Sequence, residues 1–180
     1  MTPGWQPLLD RIAAEANPVC RRNLEIVARH VVEEVAGNTA ELMATLVPDP
    51  HYSVWGASDS VGPSGYDAVV GWYHRLQAAG RNRLDYVIHR VVADEQCVVT
   101  EGDFHYAIPG VELDAAAAES GEKLQPDEYY LVTHRATVLW PISPDGLIEG
   151  EDIYAGERHR VRRLLGRDEM LHLGPEERKK

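Results

Sequence analysis

The 180-residue sequence has two cysteines, one phenylalanine and no apolar run near the ~20 residues that a membrane-spanning helix needs. Cys20 and Cys97 lie far apart in sequence, in no CxxC or metal-ligand spacing, and read as buried, reduced thiols. Basic residues are scarce: 18 Lys and Arg stand against 29 Asp and Glu, for a formal charge of −11. Such a surface repels phosphate backbones and anionic headgroups, so neither nucleic acid nor membrane is expected as a partner. Residues 1–10 lack a basic segment followed by an apolar one, so a cytoplasmic location is expected. Also missing are HExxH and HxxxH pairs, a strand–GxGxxG–helix phosphate loop, and a GxSxG elbow. Neither a metal nor another cofactor is expected.

What remains is ordinary for one globular domain, with 44% hydrophobic and 26% charged residues. The first half is helical in period. Leu8, Leu9, Ile12 and Ala16 recur at helical spacing until Asn17-Pro18, where proline breaks the helix. Val19, Leu24, Val27, Val31, Val32 and Val35 trace a second helix that closes at Gly37. Asn38 opens a short third helix, ended by Pro48 and Pro50, and His51–Trp55 reads as a strand. Ser64 to Asp67 reads as a capping box for a helix through Val69, Val70, Tyr73 and Leu76. Four strands are predicted at Leu84–Ala93, Gln96–Ile108, Tyr129–Trp140 and Leu147–Tyr154, with turns at Asp94-Glu95 and Ser143–Gly146. Residues 109–128 form a long acidic loop, a lid or a surface excursion, with a helical turn at Ala115–Ala118. Residues 157–180 read as a C-terminal helix with a basic tail.

The order of these elements, with the strings Val47–Trp55 (VPDPHYSVW), Val98–Phe104 (VVTEGDF) and Asp145–Tyr154 (DGLIEGEDIY), resembles the NTF2-like superfamily. That group includes SnoaL-like polyketide cyclases, ketosteroid isomerases and limonene-epoxide hydrolases. The likeness covers about residues 20–156 of a single 1–180 domain. It implies an α+β fold: a curved antiparallel sheet wrapped by N-terminal helices around a cone-shaped pocket. It also implies a homo-oligomer, dimer or trimer. The epoxide hydrolases use an Asp-Arg-Asp set with a Tyr and an Asn. Here Tyr52 stands at the Tyr position, Val54 at the Asn position, and no arginine lies in Val98–Ile108. Trp55-Gly56 stands where the steroid isomerases carry their base, with Asp59 only further along.

Alternation along a strand puts Glu101, Asp103 and His105 on one face and Gly102, Phe104 and Tyr106 on the other. It likewise groups Glu149, Glu151 and Ile153 against Ile148, Gly150, Asp152 and Tyr154. A gapless match to the hydrolases places Phe104 and Ile153 at the two acid positions, and a one-residue shift places Asp103 and Asp152 there. The shifted register supplies proton-transfer groups and is the expectation taken forward. Asp103 with His105 then forms an acid–base centre, and Asp152 and Tyr52 orient substrate or water. Trp55, Tyr73, His134, Trp140 and Tyr154 are the expected substrate-binding residues, for a small hydrophobic or aromatic molecule. The expected activity is cofactor-independent isomerisation, cyclisation or lyase-type elimination. A non-catalytic ligand-binding or assembly module and an epoxide hydrolase are the alternatives.

Overall fold

The computed structural model describes residues 3–56, 61–113 and 124–169. Three helices open the chain: α1 (Gln6–Ala14), α2 (Pro18–Ala36) and α3 (Thr39–Met43). Pro18 sits in the first turn of α2, where its missing N–H costs nothing. Asn17 caps that turn, its side chain accepting from the amides of Val19 and Cys20. Gly37, left-handed at φ 74°, ends α2 as the valine period implies.

Strand β1 (Leu46–Gly56) is longer than the sequence suggests, running through Pro48 and Pro50. Helix α4 (Tyr66–Ala78) begins at Gly65 with no side-chain cap, so the Ser64–Asp67 capping box does not form. Strands β2 (Leu84–Ala93), β3 (Cys97–Pro109), β4 (Tyr129–Pro141) and β5 (Ile148–Ala155) fall where alternation and turn residues place them. Asp94 makes the β2–β3 turn, its carboxylate accepting from the amides of Gln96 and Cys97. The expected C-terminal helix is corrected in part. Arg160–Leu164 forms a strand, β6, paired with β4, because Val161 buries beside Ile108, Tyr130 and Val132. Residues 170–180 lie outside the described residues, as do Asp59 and the Ala115–Ala118 turn. The long loop is tied at its base, where the Gly110 amide donates to the carbonyl of Glu128.

The sheet runs β1-β5-β4-β3-β2, and β6 extends the β5 edge of β4. It is mixed rather than wholly antiparallel, since β1 runs parallel to β5. Helices α1 and α2 lie across β2 and β3, and α4 meets β1, so one sheet face is covered. Leu8, Leu24, Val27, Leu42, Val69, Val98, Val138 and Ile148 are fully enclosed between helices and sheet. Each such side chain contributes about 1.5–3 kcal/mol relative to exposure. No helix among the described residues is long and apolar enough to cross a membrane.

Candidate active site

The covered face of β3 carries Val98, Thr100, Gly102, Phe104 and Tyr106, with Thr100 accepting from Tyr86 Oη (3.0 Å) and Trp140 Nε1 (2.9 Å). Both donors are themselves buried. Parity therefore sends Glu101, Asp103 and His105 to the opposite, outer face. There Arg135 holds Glu101 and reaches Asp103 Oδ2 at 3.4 Å, while His89 Nε2 meets the same oxygen at 2.9 Å. Arg90 bonds the other oxygen of Glu101 at 2.9 Å. Burial pushes the Asp103 carboxyl up, but the His89 hydrogen bond and the Arg135 charge outweigh it and hold it below the ordinary range. Desolvation lowers His105 against the pull of Asp85 and Asp103. The one-residue shift is thus not the observed register. Asp103, His105 and Asp152 belong to the outer face, since Asp152 follows the buried Glu151 in β5. Trp55 and Tyr154 are outer-face residues too, stacked at 6.4 Å and about half exposed. The cause is simple: the sheet has charged residues on its open face and apolar ones under the helices, and β3 follows that division.

The inward residues form a different constellation. Tyr52 from β1, Tyr73 from α4, His30 from α2 and Glu151 from β5 converge, all buried. Tyr73 Oη is the hub, 2.8 Å from Tyr52 Oη, 3.0 Å from Glu151 Oε1 and 3.0 Å from His30 Nε2. His30 Nε2 lies 3.3 Å from Glu151 Oε1. Thr45 Oγ1 donates to the carbonyl of Leu42 at 2.6 Å, so its oxygen is left to accept from His30 Nδ1 at 2.7 Å. That fixes one imidazole proton on Nδ1. The single Tyr73 proton then has two acceptors, Nε2 and the Glu151 carboxylate, and choosing one alters what the other must carry. Such a triangle can relay a proton.

Glu34 lies one turn beyond His30 on α2, on the same helix face. It is largely surrounded by protein yet keeps some contact with solvent. Desolvation, with the Glu151 charge added, pushes its carboxyl up to about 8. Tyr52 and Tyr73 are raised well above the usual phenol range, by burial first and the Glu151 charge second. A carboxyl group held uncharged near neutral pH, within electrostatic reach of a second buried carboxyl group, suits acid–base chemistry. Among the described residues, no three His, Cys, Asp or Glu side chains converge as metal ligands would.

Local backbone places Glu151. Ile148 and Glu151 both face inward although three positions apart, so alternation breaks between them. Gly150 makes the break at φ 151°, against β1, where an added Cβ would stand 1.7 Å from the His51 carbonyl oxygen. Only glycine fits there. Beyond Glu151, Tyr86, Phe104 and His134 stack across β2, β3 and β4, with centroids 4.1 and 5.0 Å apart, and Tyr106 stands beside them.

Of the predicted residues, the fold brings Tyr52, Tyr73, Trp140 and His134 to the inner face; Trp140 packs its edge against His30 at 5.5 Å. His30, Glu34 and Glu151 were not singled out by sequence. Their signal was present: His30 and Glu34 interrupt the apolar stripe of α2 between Val27, Val31 and Val35, and Glu151 shares parity with Ile153.

No family model matches the sequence, and no curated protein does. Solved structures do resemble the fold. A SnoaL-like polyketide cyclase from Jannaschia sp. CCS1 aligns at TM-score 0.59 and 18% identity, over 79% of this chain and 90% of its own. SalBIII, an epoxide hydrolase/cyclase-like enzyme of pyran ring formation in salinomycin, aligns at 0.58 and 13%, over 79% and 97%. Rv0760c of Mycobacterium tuberculosis, solved with estradiol-17β-hemisuccinate, aligns at 0.55 and 14%, over 76% and 94%. At such identities the likeness is one of fold.

Proposed function

We propose that this chain, an NTF2-like α+β fold, is a cofactor-independent enzyme that moves protons on a small hydrophobic or aromatic substrate. The observation that carries the reading is the buried Glu151 carboxyl group, hydrogen-bonded into the His30–Tyr73–Tyr52 network, with Glu34 close enough to feel its charge. Glu151, as carboxylate, takes a proton from a carbon next to an activating group. Glu34, neutral below about pH 8, returns one to an oxygen or carbon of the same molecule. Tyr73 and His30 hold Glu151 in position and accept part of the charge that shifts. Isomerisation, ring closure and elimination share this first step. Support comes from the fold likeness to polyketide cyclases and to an epoxide hydrolase/cyclase-like enzyme, and from the estradiol-17β-hemisuccinate bound by a third neighbour.

The test is deuterium exchange. 2-Tetralone, a bicyclic aromatic ketone with acidic α-hydrogens, is incubated with the protein in D2O and followed by proton NMR. Wild type should exchange the α-hydrogens at least a hundredfold faster than buffer, and Glu151→Gln should lose that acceleration. Exchange at the buffer rate, or full exchange by Glu151→Gln, overturns the reading. Tight 2-tetralone binding without exchange would instead favour a ligand-binding module.

A further inference from the structure

The inner face holds a second polar centre that the relay does not use. His134 on β4 is 92% removed from solvent, yet its Nδ1 is buried without any hydrogen-bond partner. Among the described residues it is the one buried side-chain nitrogen or oxygen left so. Buried polar atoms are nearly always satisfied, so an orphan of this kind marks a place where a partner is missing. The ring does not lack support. Phe104 stacks on it at 5.0 Å and 8°, Tyr106 lies parallel at 5.7 Å and 3°, and His159 meets it edge-on at 4.4 Å. His134 is thus held in orientation while one nitrogen is left without a partner.

Topology explains the neighbour. Strand β6 pairs with β4 so that Arg160 faces Thr133, and the next step along the ladder brings His159 beside His134. His159 is exposed, whereas His134 beneath it is not. Tyr106, which also touches His159 at 5.8 Å, is enclosed by protein yet reached by solvent, like Glu34. Tyr106 feels the charges of Glu34, Arg81 and Glu151, so it is near enough to all three for their charges to reach it.

We propose that His134, flanked by Tyr106 and His159, anchors the carbonyl or carboxylate oxygen of a bound aromatic molecule through Nδ1–H. Burial drives the His134 imidazole down to about 3, so that ring is neutral at working pH, and desolvation with the Arg81 charge lowers His159. Asp103 and Arg81 act on His134 with opposite signs, so the unpartnered nitrogen itself decides: as N–H, it takes an electron-rich oxygen. A substrate anchored here extends past Tyr106 toward Glu34 and Glu151, so the anchor rests on the proton-transfer reading for the far end only.

The experiment uses three naphthalenes on the full chain: 2-acetylnaphthalene, 2-naphthoate and 2-methylnaphthalene. Binding is followed by fluorescence, and the His134 ring by 15N NMR. Wild type should bind the two oxygenated probes at least tenfold more tightly than 2-methylnaphthalene, and binding should convert Nδ1 to the protonated, pyrrole-type shift. His134→Phe keeps the stack and removes the nitrogens. It should erase the tenfold preference, leave 2-methylnaphthalene within twofold, and melt no lower than wild type. A preference for 2-naphthoate alone assigns a carboxylate ligand; equal preference for both assigns a neutral carbonyl group as sufficient. No preference in wild type, an unprotonated Nδ1 in the complex, or an unchanged preference in His134→Phe overturns the anchor. Glu151→Gln should retain the preference. Wild-type exchange at the buffer rate, or full exchange by Glu151→Gln, with the preference intact would thus fault the relay and not the anchor.

Discussion

Replacing Glu34 by glutamine offers a direct check on the charge arrangement beneath the helices. The carboxyl is raised from 4.5 to about 8, by desolvation first and by the Glu151 charge second. Between those pH values the folded protein keeps a proton that the unfolded chain has lost. Rising pH across that window therefore destabilises the wild type, fully by about pH 8, and the penalty vanishes below pH 4.5. At 1.36 kcal/mol per unit, the whole shift is worth about 5 kcal/mol. Glu34 keeps contact with solvent, and screening there leaves roughly 2–3 kcal/mol to be expected. Glutamine carries no charge, so Glu34→Gln should escape the penalty. For a chain of this length, that is about 5–10 °C in Tm. Thermal unfolding by circular dichroism, run from pH 4 to pH 8.5, reads the difference between variant and wild type. The two should melt together near pH 4 and separate progressively to pH 8. A difference that is constant with pH, or that shrinks as pH rises, would refute a protonated Glu34 beside a charged Glu151.

Tyr73→Phe removes the hydroxyl that His30, Glu151 and Tyr52 share. Three buried partners lose a bond at once, so urea unfolding should show a loss of about 2–4 kcal/mol. Asp103→Asn acts on the outer face, in the cluster with His89 and Arg135, and should leave 2-tetralone exchange within twofold of wild type. Gly150→Ala forces a side chain against the His51 carbonyl oxygen and should cost about 3 kcal/mol or abolish soluble expression. Asn17→Ala removes the α2 cap and should cost about 1 kcal/mol, measured by urea unfolding.

Most of the architecture was legible in the sequence because its signals are local. Valine period and Gly37 bound α2, and Asp94 and Gly146 mark the turns between strands. The alternation of β3 was also readable, and it correctly separated Asp103 from Phe104. What alternation does not carry is which of its two faces lies under the helices. Functional need pointed to the face with Asp103 and His105; packing chose the other, because Val98 and Ile108, at the two ends of the opposite face, are buried in the core. Parity failed altogether at Gly150, where one strained glycine turns Glu151 inward and leaves Asp152 outside.

Sequence by itself determined the inventory: helices first, a sheet after them, a strongly acidic surface, and two polar residues set into the apolar stripe of α2. Only the tertiary structure decided which polar groups meet. His30, Tyr52, Tyr73 and Glu151 are up to 121 positions apart in the chain, from 30 to 151, and are joined at one hydroxyl. Their meeting depends on the parallel pairing of β1 with β5 and on helices lying across a curved sheet. Those are long-range contacts, and no local periodicity encodes them.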